Sequence, residues 1–234
     1  SALISLSNLS DQRMRDAKEG QWWVSNAQRG LANNSAVYTE RPEIEIFMAE
    51  WLSLIKSKSG ERGIFNRAAA KKQAARWGRR SADYEYGCNP CSEILLRSNQ
   101  MCNLTEAVVR AEDTLETLME KIAVATIMGV YQSTLTDFKG VDQELQRNCE
   151  EERLLGVSMT GVMDHAILNN VNETAIDWLQ TLRDHARAVA TEWAGYFGVN
   201  VSVAITCNKP SGTVAQLVNA GTGGLHPRFG EYYI

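Results

Sequence analysis

Leu154-Leu155-Gly156-Val157-Ser158, then the stretch from Glu173 to Phe197, then Val201-Ser202-Val203-Ala204-Ile205-Thr206 decide the fold class when read in that order. The first and last are short apolar runs of strand length. Between them Ile176, Leu179, Ala186, Ala190, Trp193 and Phe197 recur at helical spacing, and Gly198 follows where a left-handed C-cap is expected. Strand, long amphipathic helix and strand together make a crossover unit, because parallel neighbours need a connection that carries the chain back to the same edge.

The pattern repeats upstream. Residues 35–38 and 63–66 read as buried strands. Between them Pro42 takes a favoured first helical position, and Ile44, Phe47, Met48, Trp51, Leu52 and Ile55 form one apolar stripe, expected to be core. Asp113 with Glu116 gives an acidic, capping-box-like helix start, after which Leu115, Leu118, Ile122 and Ala125 mark a buried face running towards Tyr131. No tandem repeat or low-complexity linker divides the chain. The expected class is α/β with parallel strands.

Composition narrows the partners. With 44% hydrophobic and 22% charged residues the chain is ordinary globular material, and a formal charge of -4 with pI near 5.5 supplies no broad basic field for duplex nucleic acid. Nucleic acid is therefore not an expected partner, whereas a single nucleotide held by a local site is compatible with that charge. The basic stretch over residues 68–83, with Lys71, Lys72, Arg76, Arg79 and Arg80, reads as a solvated face. No cationic leader or long apolar run is present, so a cytoplasmic protein without membrane contact is expected. Five cysteines, three of them at 88, 91 and 102, do not suggest a secreted disulfide framework.

Gly87-Cys88-Asn89-Pro90-Cys91-Ser92-Glu93-Ile94 is bounded by turn residues and reads as a loop. A cysteine two residues before a glutamate sets a one-electron donor beside a proton acceptor, and Cys102 lies eleven positions after Cys91 as a potential reductant. The Cys88-x-x-Cys91 spacing is open to other readings: a zinc half-site, a redox dithiol, or inert buried thiols. A zinc site needs further ligands, and His165, His185 and His226 are distant in sequence, so no metal is expected.

Near the end stands Thr206-Cys207-Asn208-Lys209-Pro210-Ser211-Gly212-Thr213-Val214. Small hydroxyl residues around a glycine let N–H and O–H groups converge on a phosphate, although the same residues also suit a simple turn into a helix. The Walker pattern is absent.

Asn89-Pro90-Cys91-Ser92-Glu93, Cys102-Asn103-Leu104-Thr105, Arg153-Leu154-Leu155-Gly156-Val157-Ser158 and Lys209-Pro210-Ser211-Gly212-Thr213-Val214 together resemble ribonucleotide reductases in order and spacing. The likeness extends through Asn33-Asn34-Ser35, the segment from Gly60 to Arg67, and the segment from His226 to Ile234. It is to the monomeric, adenosylcobalamin-dependent class, whose members are usually ribonucleoside-triphosphate reductases.

The resemblance implies part of a ten-stranded α/β barrel with a central finger loop, here residues 87–94, and 1–234 as a single segment of that barrel. It implies adenosylcobalamin as cofactor, a ribonucleotide as substrate and a dithiol such as thioredoxin as reductant. Cys91 would become the thiyl radical and abstract the ribose 3′ hydrogen. Glu93 would accept the 3′-hydroxyl proton, Asn89 would hydrogen-bond the ribose, Cys102 would be one of two reducing cysteines, and Ser211, Gly212 and Thr213 would hold the phosphates. Cys149 and Cys207 take no catalytic part.

The resemblance also implies a second reducing cysteine on an earlier strand and a cysteine pair in a C-terminal tail, which these 234 residues do not carry. An incomplete segment is expected, working with the remainder of a reductase chain or a complementing subunit. Cys88 and the glycine-rich run from Gly221 to Leu225 depart from the family pattern. The alternative expectation is a nucleotide-binding or assembly module without chemistry of its own.

Overall fold

Parallel strand pairing organises the chain, as the crossover pattern requires. The computed structural model describes residues 3–58, 61–220, 225–228 and 230, arranged in two compact units, Ser1–Ser98 and Asn99–Ile234. Most of the glycine-rich run, residues 221–224, and the terminal Tyr232, Tyr233 and Ile234 lie outside the described residues.

In the first unit β1 (Leu3–Asn8), β2 (Ala32–Tyr38) and β3 (Gly63–Asn66) lie side by side in that order, all parallel, with Ser5 opposite Asn34 and Val37 opposite Phe65. The crossover from β1 to β2 runs through α1 (Gln12–Arg15), α2 (Trp22–Ser25) and a 3-10 turn over Ala27–Leu31, and the one from β2 to β3 through α3 (Ile44–Ser57). α4 (Arg67–Ala75) begins where β3 ends, because the Asn66 side chain accepts the Ala69 N–H at 2.9 Å and caps it. A short antiparallel hairpin follows, β4 (Gly87–Cys88) with β5 (Leu95–Leu96).

Ile4, Leu6 and Val37 from the sheet, Phe65, Ala70 and Ala74 around α4, and Tyr86, Cys88 and Leu95 from the hairpin share one apolar cluster. The hairpin base is thus fixed to the sheet by burial, at about 1.5–3 kcal/mol for each large apolar side chain. Arg80 adds a clamp: its guanidinium stacks over the Tyr86 ring at 4.7 Å and donates to the Leu95 carbonyl at 3.0 Å. Part of the basic stretch therefore holds the hairpin, while Lys71 pairs with the exposed Glu85.

The apolar stripe of α3 is not core in this structure. Ile44, Met48, Trp51, Leu52 and Ile55 are all exposed, and the one buried residue of the helix is Glu50. What attaches α3 is charge and one ring: Glu50 receives Arg15 at 3.0 Å and faces Arg62 at 3.5 Å, and Phe47 meets Tyr38 edge-on at 6.3 Å. Arg62 also donates to the Asn8 carbonyl at 2.8 Å, tying the helix to the end of β1. Pro42 precedes the N-cap residue, Glu43, instead of starting the helix.

In the second unit β6 (Asn103–Val108) pairs in parallel with β7 (Leu155–Thr160), joined through α5 (Leu115–Ser133) and α6 (Gln143–Glu152). α7 (Glu173–Phe197) packs beside α5 on one face of this pair, and α8 (Thr213–Leu217) follows near the end. Ala107, Val109, Leu155 and Val157 from the strands meet Leu118, Ile122 and Ala125 of α5 and Leu182, Ala186, Ala190 and Ala194 of α7 in one core. Gly198 ends α7 at φ 64°, as expected. Ile176 and Leu179 are more exposed than the helical pattern implied, whereas Trp193 and Phe197 pack against the core. The cap of α5 is a box between Thr114 and Thr117, with Asp113 accepting from Thr117, so the acidic residue supports the box without forming it.

Residues 201–206 are not a regular strand. They nevertheless run along β7: Leu155 N–H donates to Ala204 at 2.9 Å, Val157 N–H to Ile205 at 2.8 Å, and Cys207 N–H to Val157 at 3.0 Å. The Ser202 hydroxyl donates to the Ala204 carbonyl at 2.6 Å, a local bond that competes with extended pairing.

Candidate active site

The tip of the hairpin brings together three of the expected residues. Asn89, Cys91 and Glu93 all lie in the six-residue connection between β4 and β5. Its shape comes from internal bonds: Asn89 N–H donates to Ile94 O at 3.2 Å, Ile94 N–H donates to the Asn89 side-chain oxygen at 3.0 Å, and Ser92 N–H donates to Asn89 O at 2.9 Å. Ser92 sits at φ 66°, the left-handed region that lets a tight loop reverse. The Asn33 side chain donates to the Pro90 carbonyl, tethering the loop to β2.

Within that frame the sulfur atoms differ. Cys91 is exposed, whereas Cys88 is buried and its thiol donates to the Ser92 hydroxyl at 3.5 Å. Burial pushes the Cys88 thiol above its ordinary pKa, the Ser92 bond pulls against that, and the Glu93 charge adds to the rise. Glu93 has both carboxylate oxygens shielded from solvent with no hydrogen-bond partner among the described residues. Two shielded carboxylate oxygens without partners are costly to bury, which sets Glu93 apart from an ordinary surface acid. None of the five cysteines forms a disulfide, and among the described residues no three His, Cys, Asp or Glu side chains gather as metal ligands would.

The second unit carries the other expected residues. Cys102, partly exposed, immediately precedes β6. Ser211, Gly212 and Thr213 lead into α8, with Gly212 and Thr213 exposed and Ser211 buried. The Ser211 hydroxyl donates to Glu106 at 2.7 Å and accepts the Ala215 N–H at 3.1 Å, so its single proton is already committed. Lys209 meets the same carboxylate at 3.1 Å, and its main-chain N–H donates to the Ser158 hydroxyl at 3.0 Å.

Glu106 escaped the reading of the sequence, and Lys209 was quoted there without a role of its own. No signal in the sequence marked Glu106: in Asn103-Leu104-Thr105-Glu106-Ala107-Val108 it falls on the face opposite the core-facing Thr105 and Ala107, where a charged residue ordinarily meets solvent. His165, by contrast, is structural. Its Nδ1 accepts the Ile167 and Leu168 N–H groups at 3.2 Å, and its Nε2 lies 2.9 Å from the Asp113 carbonyl.

Two kinds of comparison find similar proteins, while no family model matches the chain. The adenosylcobalamin-dependent ribonucleoside-triphosphate reductase of Lactobacillus leichmannii is 29% identical over 273 residues, covering 100% of this chain and 34% of that protein. The same-named protein of Lactobacillus helveticus is 28% identical over 100% of this chain and 34% of its own length. A probable member from Dictyostelium discoideum is 29% identical over 63% of this chain and 19% of its own length. In three dimensions the chain is similar to a B-12 dependent (class II) ribonucleotide reductase, with a TM-score of 0.68 and 25% identity over 93% of this chain and 33% of that one.

Its relatives are adenosylcobalamin-dependent ribonucleotide reductases. The mixed α/β fold matches the class II reductase structure, in keeping with the resemblance seen in the motifs. The chain spans about a third of the length of the two Lactobacillus relatives, 34% in each case. No helix among the described residues is long and apolar enough to cross a membrane.

Proposed function

We propose that this chain supplies the radical-bearing finger loop and the substrate-phosphate loop of a class II-type ribonucleotide reductase, acting on ribonucleoside triphosphates. The observation that carries the reading is the hairpin tip, where an exposed Cys91 stands two residues from a carboxylate whose oxygens are both shielded and unpartnered. The three parallel strands of the first unit and the parallel pair of the second are the kind of pieces a ten-stranded α/β barrel is made from.

Adenosylcobalamin is the cofactor in the relatives' names, and the chain fits it at one point: the Cys91 sulfur is open to an approaching radical. When bound, the cofactor supplies the radical that removes the Cys91 hydrogen atom. Cys91 then takes the 3′ hydrogen of the ribose. Glu93 accepts the 3′-hydroxyl proton, which assists departure of the 2′-hydroxyl as water once one of the two reducing thiols has protonated it. Asn89, whose side-chain oxygen is engaged by Ile94, offers its NH2 group to a ribose hydroxyl. Cys102 provides one of the two thiols oxidised in the reduction, and a dithiol of the thioredoxin type restores them. Gly212 and Thr213 present exposed donors to the phosphates.

The test is anaerobic formation of deoxyribonucleotide from ribonucleoside triphosphates, with adenosylcobalamin and a small dithiol, comparing wild type with Cys91→Ser. With the remainder of the reductase supplied, product that depends on Cys91 is the expected result, and equal product from wild type and Cys91→Ser would overturn it; the isolated chain is expected to be inactive. The short span relative to the relatives favours a second reading, a nucleotide-binding segment without chemistry of its own. Ribonucleotide binding without product would select that reading. Neither binding nor product would reject both.

A further inference from the structure

We propose that Glu106 is the positioning residue of the phosphate loop, holding Lys209 and Ser211 with one carboxylate; the inference rests on reading residues 209–213 as a triphosphate site. Its two oxygens are divided between the two ends of the loop. Oε2 accepts the Ser211 hydroxyl at 2.7 Å, and Oε1 faces the Lys209 ammonium at 3.1 Å. The Glu106 side chain is only 7% exposed, and its Oε1 has no hydrogen bond beyond that ion contact. A carboxylate this deep is destabilising unless both neighbours stay in place, so the geometry of each end constrains the other.

The consequence for binding is specific. Ser211 has one proton and gives it to Glu106, so it orders the loop without donating to a phosphate. Lys209 is held at two points, by Glu106 through its ammonium and by Ser158 through its N–H at 3.0 Å. Its ammonium has three donors and its side chain is 23% exposed, which leaves donors for an arriving anion. Lys209, Gly212 and Thr213 are then the groups that meet the phosphates, and Glu106 acts through the first and through Ser211.

Glu106 also links the loop to the reducing cysteine. It lies four residues beyond Cys102 along β6, about 13 Å at roughly 3.3 Å per residue. One strand thereby sets both the start of the thiol segment and the anchor of the phosphate loop.

The experiment compares wild type, Glu106→Ala, Glu106→Gln and Ser211→Ala by hydrogen exchange of residues 209–215 and by calorimetric binding of inorganic tripolyphosphate. Glu106→Ala is expected to speed exchange in that segment alone and to weaken tripolyphosphate by about tenfold, the size of one lost charge-assisted bond. Glu106→Gln keeps the volume and an acceptor for Ser211 but not the charge facing Lys209, so it should recover slow exchange while its tripolyphosphate affinity stays below wild type, whereas a bulk packing role predicts recovery of both. Unchanged exchange in Glu106→Ala, or a Glu106→Gln variant no better than it, overturns the positioning role. Local loosening in Glu106→Ala with no tripolyphosphate binding by the wild type keeps the positioning role and rejects the phosphate-site reading. If Glu106→Ala does not fold, Ser211→Ala and Glu106→Gln decide by the same two readouts.

Discussion

Asn89 and Ile94 close the hairpin loop on each other: the Asn89 side-chain oxygen takes the Ile94 N–H at 3.0 Å while the Asn89 N–H donates to the Ile94 carbonyl at 3.2 Å. Half of the Asn89 amide is therefore structural, and its NH2 is the part left for the proposed chemistry. The loop that carries Cys91 and Glu93 is shaped by the residue expected to touch the ribose.

Two substitutions separate those roles. Asn89→Ala strands the N–H of Ile94, a residue 5% exposed, and is expected to cost about 1–3 kcal/mol of stability along with activity. Asn89→Asp keeps the acceptor for Ile94 and loses the NH2 donor, so its melting temperature should stay near wild type while ribonucleotide turnover falls. Equal stability losses in both, measured by thermal unfolding, would show that the oxygen bond is not what holds the loop.

The thiols should react in an order set by burial. Cys91 is exposed, whereas Cys88 and Cys149 are buried and burial raises both of their pKa values. Brief alkylation at pH 8 followed by peptide mass spectrometry is expected to label Cys91 well before Cys88 or Cys149, with all three labelled once the chain is unfolded. Early labelling of Cys88 would mean that the loop opens in solution and that its bond to Ser92 does not persist.

Gly161 turns the chain out of β7 at φ 86°, and a Cβ there would stand 2.5 Å from the Val109 carbonyl oxygen. An alanine must bear both the left-handed backbone and a clash with main chain that cannot move aside. Gly161→Ala is expected to destabilise the second unit by about 2–4 kcal/mol, combining the left-handed penalty with overpacking. Gly140, at φ 76° with open space around it, is the control: Gly140→Ala should show only the backbone part, about 1–2 kcal/mol.

Legibility in the sequence followed burial. α7 was readable because its period, its glycine cap and its core face agree, and the finger loop because Gly87 and Pro90 bracket a short cysteine segment. β6 was not, since Asn103, Thr105 and Glu106 dilute its apolar signal and its pairing with β7 is long-range. The α3 stripe misled because amphipathicity reports only that a face is apolar; the helix is attached instead through Glu50, Arg15 and Arg62. The candidate site residues stood out as a constellation of motifs, but Glu106 became visible only when folding placed it against residues more than a hundred positions away.

Acid should loosen the start of α5 through Asp113. Burial works to raise its pKa, yet Lys121 at 2.6 Å, the Arg110 N–H and the Thr117 hydroxyl together bring it below the ordinary value of 3.8. A carboxylate with a depressed folded-state pKa contributes stability that is fully present above the unfolded value and is lost as pH falls through the folded one. The expected loss therefore begins near pH 4 and continues below it. Asp113→Asn keeps much of the shape without the charge, so it should be less stable than wild type at pH 7 and converge with it at the acid end. Parallel stability curves for the two proteins between pH 7 and pH 2.5, followed by urea unfolding, would show that the Asp113–Lys121 pair contributes nothing to the fold.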